Sequence, residues 1–213
     1  MSELHVLLVP GDSRTGPWHW QQWLAARLPD AGAVVTTCPP AAESHDPIAA
    51  LRVRLARTPP EAELAVVAHR GGAASWLRHA ATLGARRSAA EGVRRADRVL
   101  LVAPDAQART PGTRADVPGE PDAPALREAG GPTRMVVGAD DPASSVRAAH
   151  ALFHRLRVEL DVLADGRGLD TAAGYGPWPA LLRWVLYGSV PVADRFGSAP
   201  RAAGWSPVPE GVG

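Results

Sequence analysis

An α/β domain built on a mostly parallel sheet, with helices on both faces in a three-layer sandwich, is what three features of this 213-residue chain predict. Short apolar runs alternate with segments of helical periodicity as far as residue 187. The apolar runs are nearly continuous rather than alternating, as strands buried on both faces are. The runs end in turns rich in Gly, Pro and Asp, residues that break regular structure.

The elements follow in order. His5 to Val9 reads as a buried strand ended by Pro10-Gly11. Trp18 to Leu28 places Trp20, Trp23, Leu24 and Leu28 at helical spacing, which makes Trp20 and Trp23 candidate core residues. Val34 to Thr37 is a short strand closed by Pro39-Pro40, and Ile48 to Ala56 an amphipathic helix. Leu64 to Ala68 is the next buried strand, and Gly71-Gly72 opens a helix through Ala81. Strands are predicted again at Arg98 to Val102, Arg134 to Gly138 and Val158 to Leu163, with helices at Ser145 to Leu156 and Pro179 to Leu186. Residues 105–132 have weak periodicity and much Pro, Gly, Asp and Arg, which predicts a long loop beyond a central strand. The organisation expected is one domain over residues 1–187 and a Pro/Gly-rich tail over 188–213, with Phe196 and Trp205 as its anchors.

Composition narrows the function. Hydrophobic residues make up 46%, enough for a packed core, and the net charge is +1, so no nucleic-acid partner is expected. Every one of the 23 basic residues is arginine, which excludes Schiff-base chemistry by a lysine. The abundance of Ala, Gly, Pro and Arg matches the usage of a GC-rich bacterial genome. Cys38 stands alone, so neither an intrachain disulfide nor a cysteine metal cluster can form. No cofactor or metal is expected. No run reaches the roughly 20 apolar residues of a membrane span, and the N-terminus lacks a basic leader, so a cytoplasmic location without membrane contact is the expectation.

Ligands of open parallel sheets bind beyond the carboxyl ends of the strands, and four turns there carry the candidate site. The first, Pro10-Gly11-Asp12-Ser13, leads into Pro17-Trp18-His19-Trp20. The second, Ala68-His69-Arg70-Gly71-Gly72, has the strand, tight turn and helix of a G-x-S-x-G nucleophile elbow. Its glycines fit; its centre is arginine, which stays protonated and cannot be a nucleophile. A guanidinium can instead clamp a carboxylate, phosphate or enolate. The third, Gly138-Ala139-Asp140-Asp141-Pro142, offers paired aspartates suited to an acid of a triad, to an ion pair or to a helix cap. The fourth runs from Asp165 to Asp170 and on to Gly174-Tyr175-Gly176-Pro177-Trp178-Pro179. No histidine follows His154, so the chain order Ser, Asp, His cannot be completed there.

Together these turns resemble the small serine-hydrolase family of the α/β-hydrolase fold that includes retinoblastoma-binding protein 9 and bacterial YdeN. The segments that carry the resemblance are Val9-Pro10-Gly11, Gly16-Pro17, His19-Trp20-Gln21, Val67-Ala68-His69, Asp141-Pro142 and Gly174 to Pro179, spread over residues 4–187. The resemblance implies a Ser-His-Asp triad. Asp141 matches its acid, Arg70 stands at the serine position, and Gly168 falls at the histidine position with Arg167 one residue away. A missing histidine side chain leaves room between elbow and acid, and an arginine at the elbow is long enough to enter it and pair with Asp141; the alternative is an Arg70 turned outward into solvent.

Three functions compete. The first is a non-hydrolytic enzyme of cyclase, isomerase or lyase type, possible in bacterial specialised metabolism. There Arg70 would bind an anionic or carbonyl group of a small molecule, with Asp141, His19, His69 or Asp12 moving protons, Ser13 and Gly71 beside the substrate, and Trp18, Tyr175 and Trp178 as the pocket wall. The second is a pseudoenzyme that binds or scaffolds, using the tail or the 105–132 loop toward a protein partner or a second copy. The third is weak hydrolysis by a water activated by Asp141 or Asp12.

Overall fold

The computed structural model describes residues 2–11, 15–85, 93–105, 121–141, 146–164, 166–188 and 191–192. Its strands are β1 (Leu4–Val9), β2 (Val34–Thr37), β3 (Glu63–His69), β4 (Arg98–Val102), β5 (Thr133–Gly138) and β6 (Glu159–Leu163). They form one sheet in the order β2-β1-β3-β4-β5-β6, every neighbouring pair parallel. The helices are α1 (Trp20–Arg27), α2 (Pro47–Ala56), α3 (Gly71–Ala85), α4 (Ala123–Ala129), α5 (Val146–Leu156) and α6 (Pro179–Tyr187). None of the described helices is long and apolar enough to cross a membrane.

The continuous apolar strands are needed because both faces of the sheet are covered. Leu7, Val66, Val99 and Met135 face one core with Leu51, Leu55, Trp76, Leu126 and Leu152 from α2 to α5. Val6, Val67, Leu100 and Val136 face the other, with Trp20, Leu24 and Leu28 from the α1 segment and Leu181, Trp184 and Val185 of α6. Each such buried side chain contributes about 1.5–3 kcal/mol. Trp20 is fully buried as expected, and Trp23 packs partly buried against the same cluster.

Chain order and spatial order diverge between β1 and β3. The segment after β1 crosses one face to β2, while that after β3 crosses the other. This is the switch point at which open parallel sheets bind ligands. The β1 turn (Val9-Pro10-Gly11) and the β3 turn (His69-Arg70-Gly71) therefore lie side by side: a Cβ on Gly11 would stand 3.4 Å from the Arg70 Cβ.

One expectation is corrected. Residues 121–132 are not loop throughout, because they hold the seven-residue helix α4. Asp122 caps it by accepting from the Ala125 N–H at 2.8 Å, and Pro124 sits in its first turn, where a missing N–H costs nothing. The helix escapes periodicity because it is short and rich in alanine. Beyond residue 187, Val192 is fully buried and its carbonyl accepts from the Trp178 indole N–H at 3.2 Å. Residues 106–120, Phe196 and Trp205 lie outside the described residues.

Candidate functional site

Arg70 occupies the tight turn between β3 and α3 with φ 48°, a left-handed conformation that a non-glycine residue adopts only under constraint. Its N–H donates to the Val102 carbonyl at 3.0 Å, and its carbonyl accepts from the Ala74 N–H at 3.1 Å, which pins the turn to β4 and to the first turn of α3. Gly72 makes the turn possible. A Cβ there would lie 2.3 Å from the Val9 carbonyl oxygen and 2.4 Å from that of Pro10. The strand, strained turn and glycine-led helix of the elbow are thus present, with an arginine at the centre.

The Arg70 side chain turns toward the end of β5. Its Nη1 lies 3.5 Å from Asp141 Oδ2, with the arginine side chain 32% exposed and the aspartate side chain fully buried. The anticipated pair therefore forms, though it is long beside the 2.7–2.9 Å typical of charge-assisted bonds. The same guanidinium covers Gly168, where an added Cβ would stand 2.8 Å from Arg70 Nη1 and 2.9 Å from Asp170 Oδ2. The residues after β3, after β5 and after β6 that the resemblance singled out converge on one point, and arginine fills the room that a side chain at 168 would use.

The two aspartates separate in role. Asp141 faces Arg70, whereas the exposed Asp140 accepts from the Arg167 N–H at 2.7 Å and fastens the loop after β6. That N–H is the chief reason its carboxyl is held below the usual range. The loop also requires Gly138, whose Cβ would fall 2.4 Å from the Arg167 N and O atoms.

Two histidines stand behind the arginine. His69 is buried between Trp20 and the Gly168 carbonyl, which accepts from its Nε2–H at 2.9 Å. Burial pushes its pKa down to about 3. His19, 5.1 Å away between ring centroids, caps α1: its Nδ1 accepts from the Gln21 N–H at 3.1 Å. The proton then resides on Nε2, which is buried without a hydrogen-bond partner. Burial lowers the His19 pKa to about 4, against the opposing pull of Asp170. Both rings are neutral near pH 7, donors rather than ready bases.

The aromatic wall differs from expectation. Trp18 is 81% exposed and lines a separate open groove of about 380 Å³ with Trp23 and Pro177. Trp178 is fully buried and Tyr175 nearly so, their rings 4.8 Å apart in the core. Both support the site from behind. Gly71 opens α3 beside Arg70, whereas Asp12, Ser13 and Pro142 lie outside the described residues. The Ser75 hydroxyl donates to the Gly71 carbonyl at 3.0 Å and is occupied within its helix. Gln21 and Asp170 were not anticipated. Gln21 Nε2 donates to the Val9 carbonyl at 3.3 Å, and Asp170 caps the turn Thr171–Ala173. The Gln21 position directly after His19-Trp20 was the signal available for the first. Among the described residues no group of three or more His, Cys, Asp or Glu side chains is placed to hold a metal.

A six-stranded parallel sheet covered on both faces, with a strand, strained turn and helix at its switch point, defines an α/β-hydrolase fold. The sequence profile of the serine hydrolase family matches residues 6–186, and the chain belongs to that family. Among solved structures it is similar to the ydeN gene product of Bacillus subtilis, with TM-score 0.66, 16% identity, and 87% of this chain and 97% of that one covered. A YdeN-like hydrolase of Pectobacterium atrosepticum gives TM-score 0.64 and 21% identity over 89% of this chain and 94% of that one. A serine hydrolase without a lid from Xanthomonas campestris gives 0.53 and 17% over 88% and 82%. No functionally curated protein matches the chain by sequence.

Proposed function

We propose that this serine-hydrolase-family chain does not perform acyl transfer and that its Arg70 turn binds an anionic or carbonyl group of a small molecule in a non-hydrolytic reaction. The observation that carries the reading is the Arg70 guanidinium itself. It sits at the strained turn of the switch point, a third exposed, and Asp141 holds it only at 3.5 Å. A permanent cation there cannot attack a carbonyl carbon, but it can polarise a carbonyl oxygen or stabilise an enolate. A loose ion pair leaves donors for a ligand oxygen. The N–H groups at the start of α3 add positive potential at the same place. Chemistry of isomerase, cyclase or lyase type requires that kind of stabilisation and no acyl-enzyme.

Filling of the space over Gly168 favours a second reading, a pseudoenzyme whose arginine and aspartate neutralise a vacated site. Hydrolysis by a water activated at Asp141 gains no support, because that carboxylate faces a guanidinium. Titration with malonate, followed by the amide resonances of Gly71 and Gly168, separates the first two. The proposal expects saturable shifts and at least about a tenfold weaker Kd in Arg70→Ala. Absence of binding, or equal binding by the variant, assigns the protein to the second reading.

A further inference from the structure

We propose a second small-molecule site at the opposite end of the sheet, which takes an organic carboxylate with an apolar body. An open pocket of about 610 Å³ lies at the amino ends of β3 to β6, bordered by Glu63, Arg98, Thr133 and Glu159, the first residues of those strands. It stands roughly 20 Å, one strand length, from Arg70. The volume suits a small ligand. Pro132, Val158 and Trp184 give it apolar walls.

Its charges decide the ligand class. Each acid of the lining already has an arginine: Glu63 has Arg98, Glu159 has Arg134, and Asp97 has Arg94 at 3.0 Å. Arg157 has none; among the described residues it is the lining arginine that makes no ion pair. The donor that remains for a ligand is therefore the exposed Arg157 guanidinium, a planar fork that matches a carboxylate. Arg98 is buried, its Nη atoms committed to Glu63 and the Val185 carbonyl. A monoanion balances Arg157, the lining arginine that makes no ion pair among the described residues, whereas a phosphate dianion would add charge beside Glu63 and Glu159.

Backbone conformation marks the same residue. Arg157 ends α5 with φ 54°, its N–H donating to the Phe153 carbonyl at 2.8 Å. That is a helix-closing position glycine fills without strain. An arginine held there in a left-handed conformation, beside a pocket whose acids are already paired, is what binding of an anion would retain.

The test uses benzoate and its uncharged isostere benzamide on the full chain, read by amide resonances. Benzoate is expected to shift Val158 and Gly188 saturably, and benzamide to leave them unmoved at equal concentration. Arg157→Gly removes the guanidinium and relieves the φ, so the fold persists, its thermal midpoint unchanged or raised, while the Kd for benzoate rises at least about tenfold. Equal affinity in Arg157→Gly, equal binding of benzamide, or shifts confined to Gly71 and Gly168 would overturn the assignment. The last pattern would place benzoate at Arg70, so the two sites fail separately.

Discussion

Lowering the pH from 7 to 5 is expected to remove about 5 kcal/mol of folding stability, a large part of the 5–15 kcal/mol typical of a domain. His69 and His19 of the site, and His79, fully buried in α3, are responsible. Burial depresses their folded pKa values to about 3, 4 and 4, against 6.5 for a free histidine. The unfolded chain therefore takes up protons below pH 6.5 that the folded chain refuses, and stability falls as pH drops through that window toward the folded pKa values. By pH 5 the loss is just under about 2 kcal/mol for each of the three rings. Urea midpoints at pH 7, 6 and 5 check this. His69→Gln keeps a donor for the Gly168 carbonyl and does not titrate, so it should flatten the slope by about 2 kcal/mol over the same range. A midpoint constant from pH 7 to 5 would mean that these rings carry charge in the fold.

Gly72→Ala is expected to destabilise the protein by about 3 kcal/mol or more, enough to cut its soluble yield. The new methyl would sit 2.3 Å from the Val9 carbonyl oxygen, 2.4 Å from that of Pro10 and 2.8 Å from the Val9 carbonyl carbon. These are backbone atoms at and just after the buried carboxyl end of β1, and they cannot step aside as a flexible side-chain tip can. Either α3 retreats from β1 or the Arg70 turn deforms. Gly16→Ala is the control: nothing lies within 4 Å of its Cβ, and its effect should stay within about 0.5 kcal/mol. Thermal or urea unfolding of the pair decides, and a Gly72→Ala loss below about 1 kcal/mol would contradict the close docking of α3 on the β1 turn.

The strands were the most legible part of the sequence, because burial on both faces demands continuous apolar runs. Arg98–Val102, buried along its whole length, falls at the residues the pattern names. The helix at Ala123–Ala129 was not legible by periodicity, since seven residues hold too few apolar positions to show one. Its capping Asp122 and first-turn Pro124 were the readable signal. Within the site, the meeting of Arg70 with Asp141 followed from motif order in the chain. The division of labour between Asp140 and Asp141 did not, because it depends on which carboxylate the loop after β6 reaches. Trp18 misled for a related reason: an aromatic beside a motif reads as a pocket wall, while its actual exposure depends on where α1 begins. The pocket at the amino ends of the strands was invisible in sequence, being assembled from the first residues of four strands far apart in the chain.

The central claim is that Arg70, facing Asp141 and covering Gly168, stands in a site that forms no acyl-enzyme. Its most direct test is exposure of the folded protein to an alkyl fluorophosphonate, followed by intact-mass measurement. The account predicts an unchanged mass after prolonged incubation. A single stoichiometric phosphonyl adduct on any serine, Ser13 and Ser75 included, would contradict it.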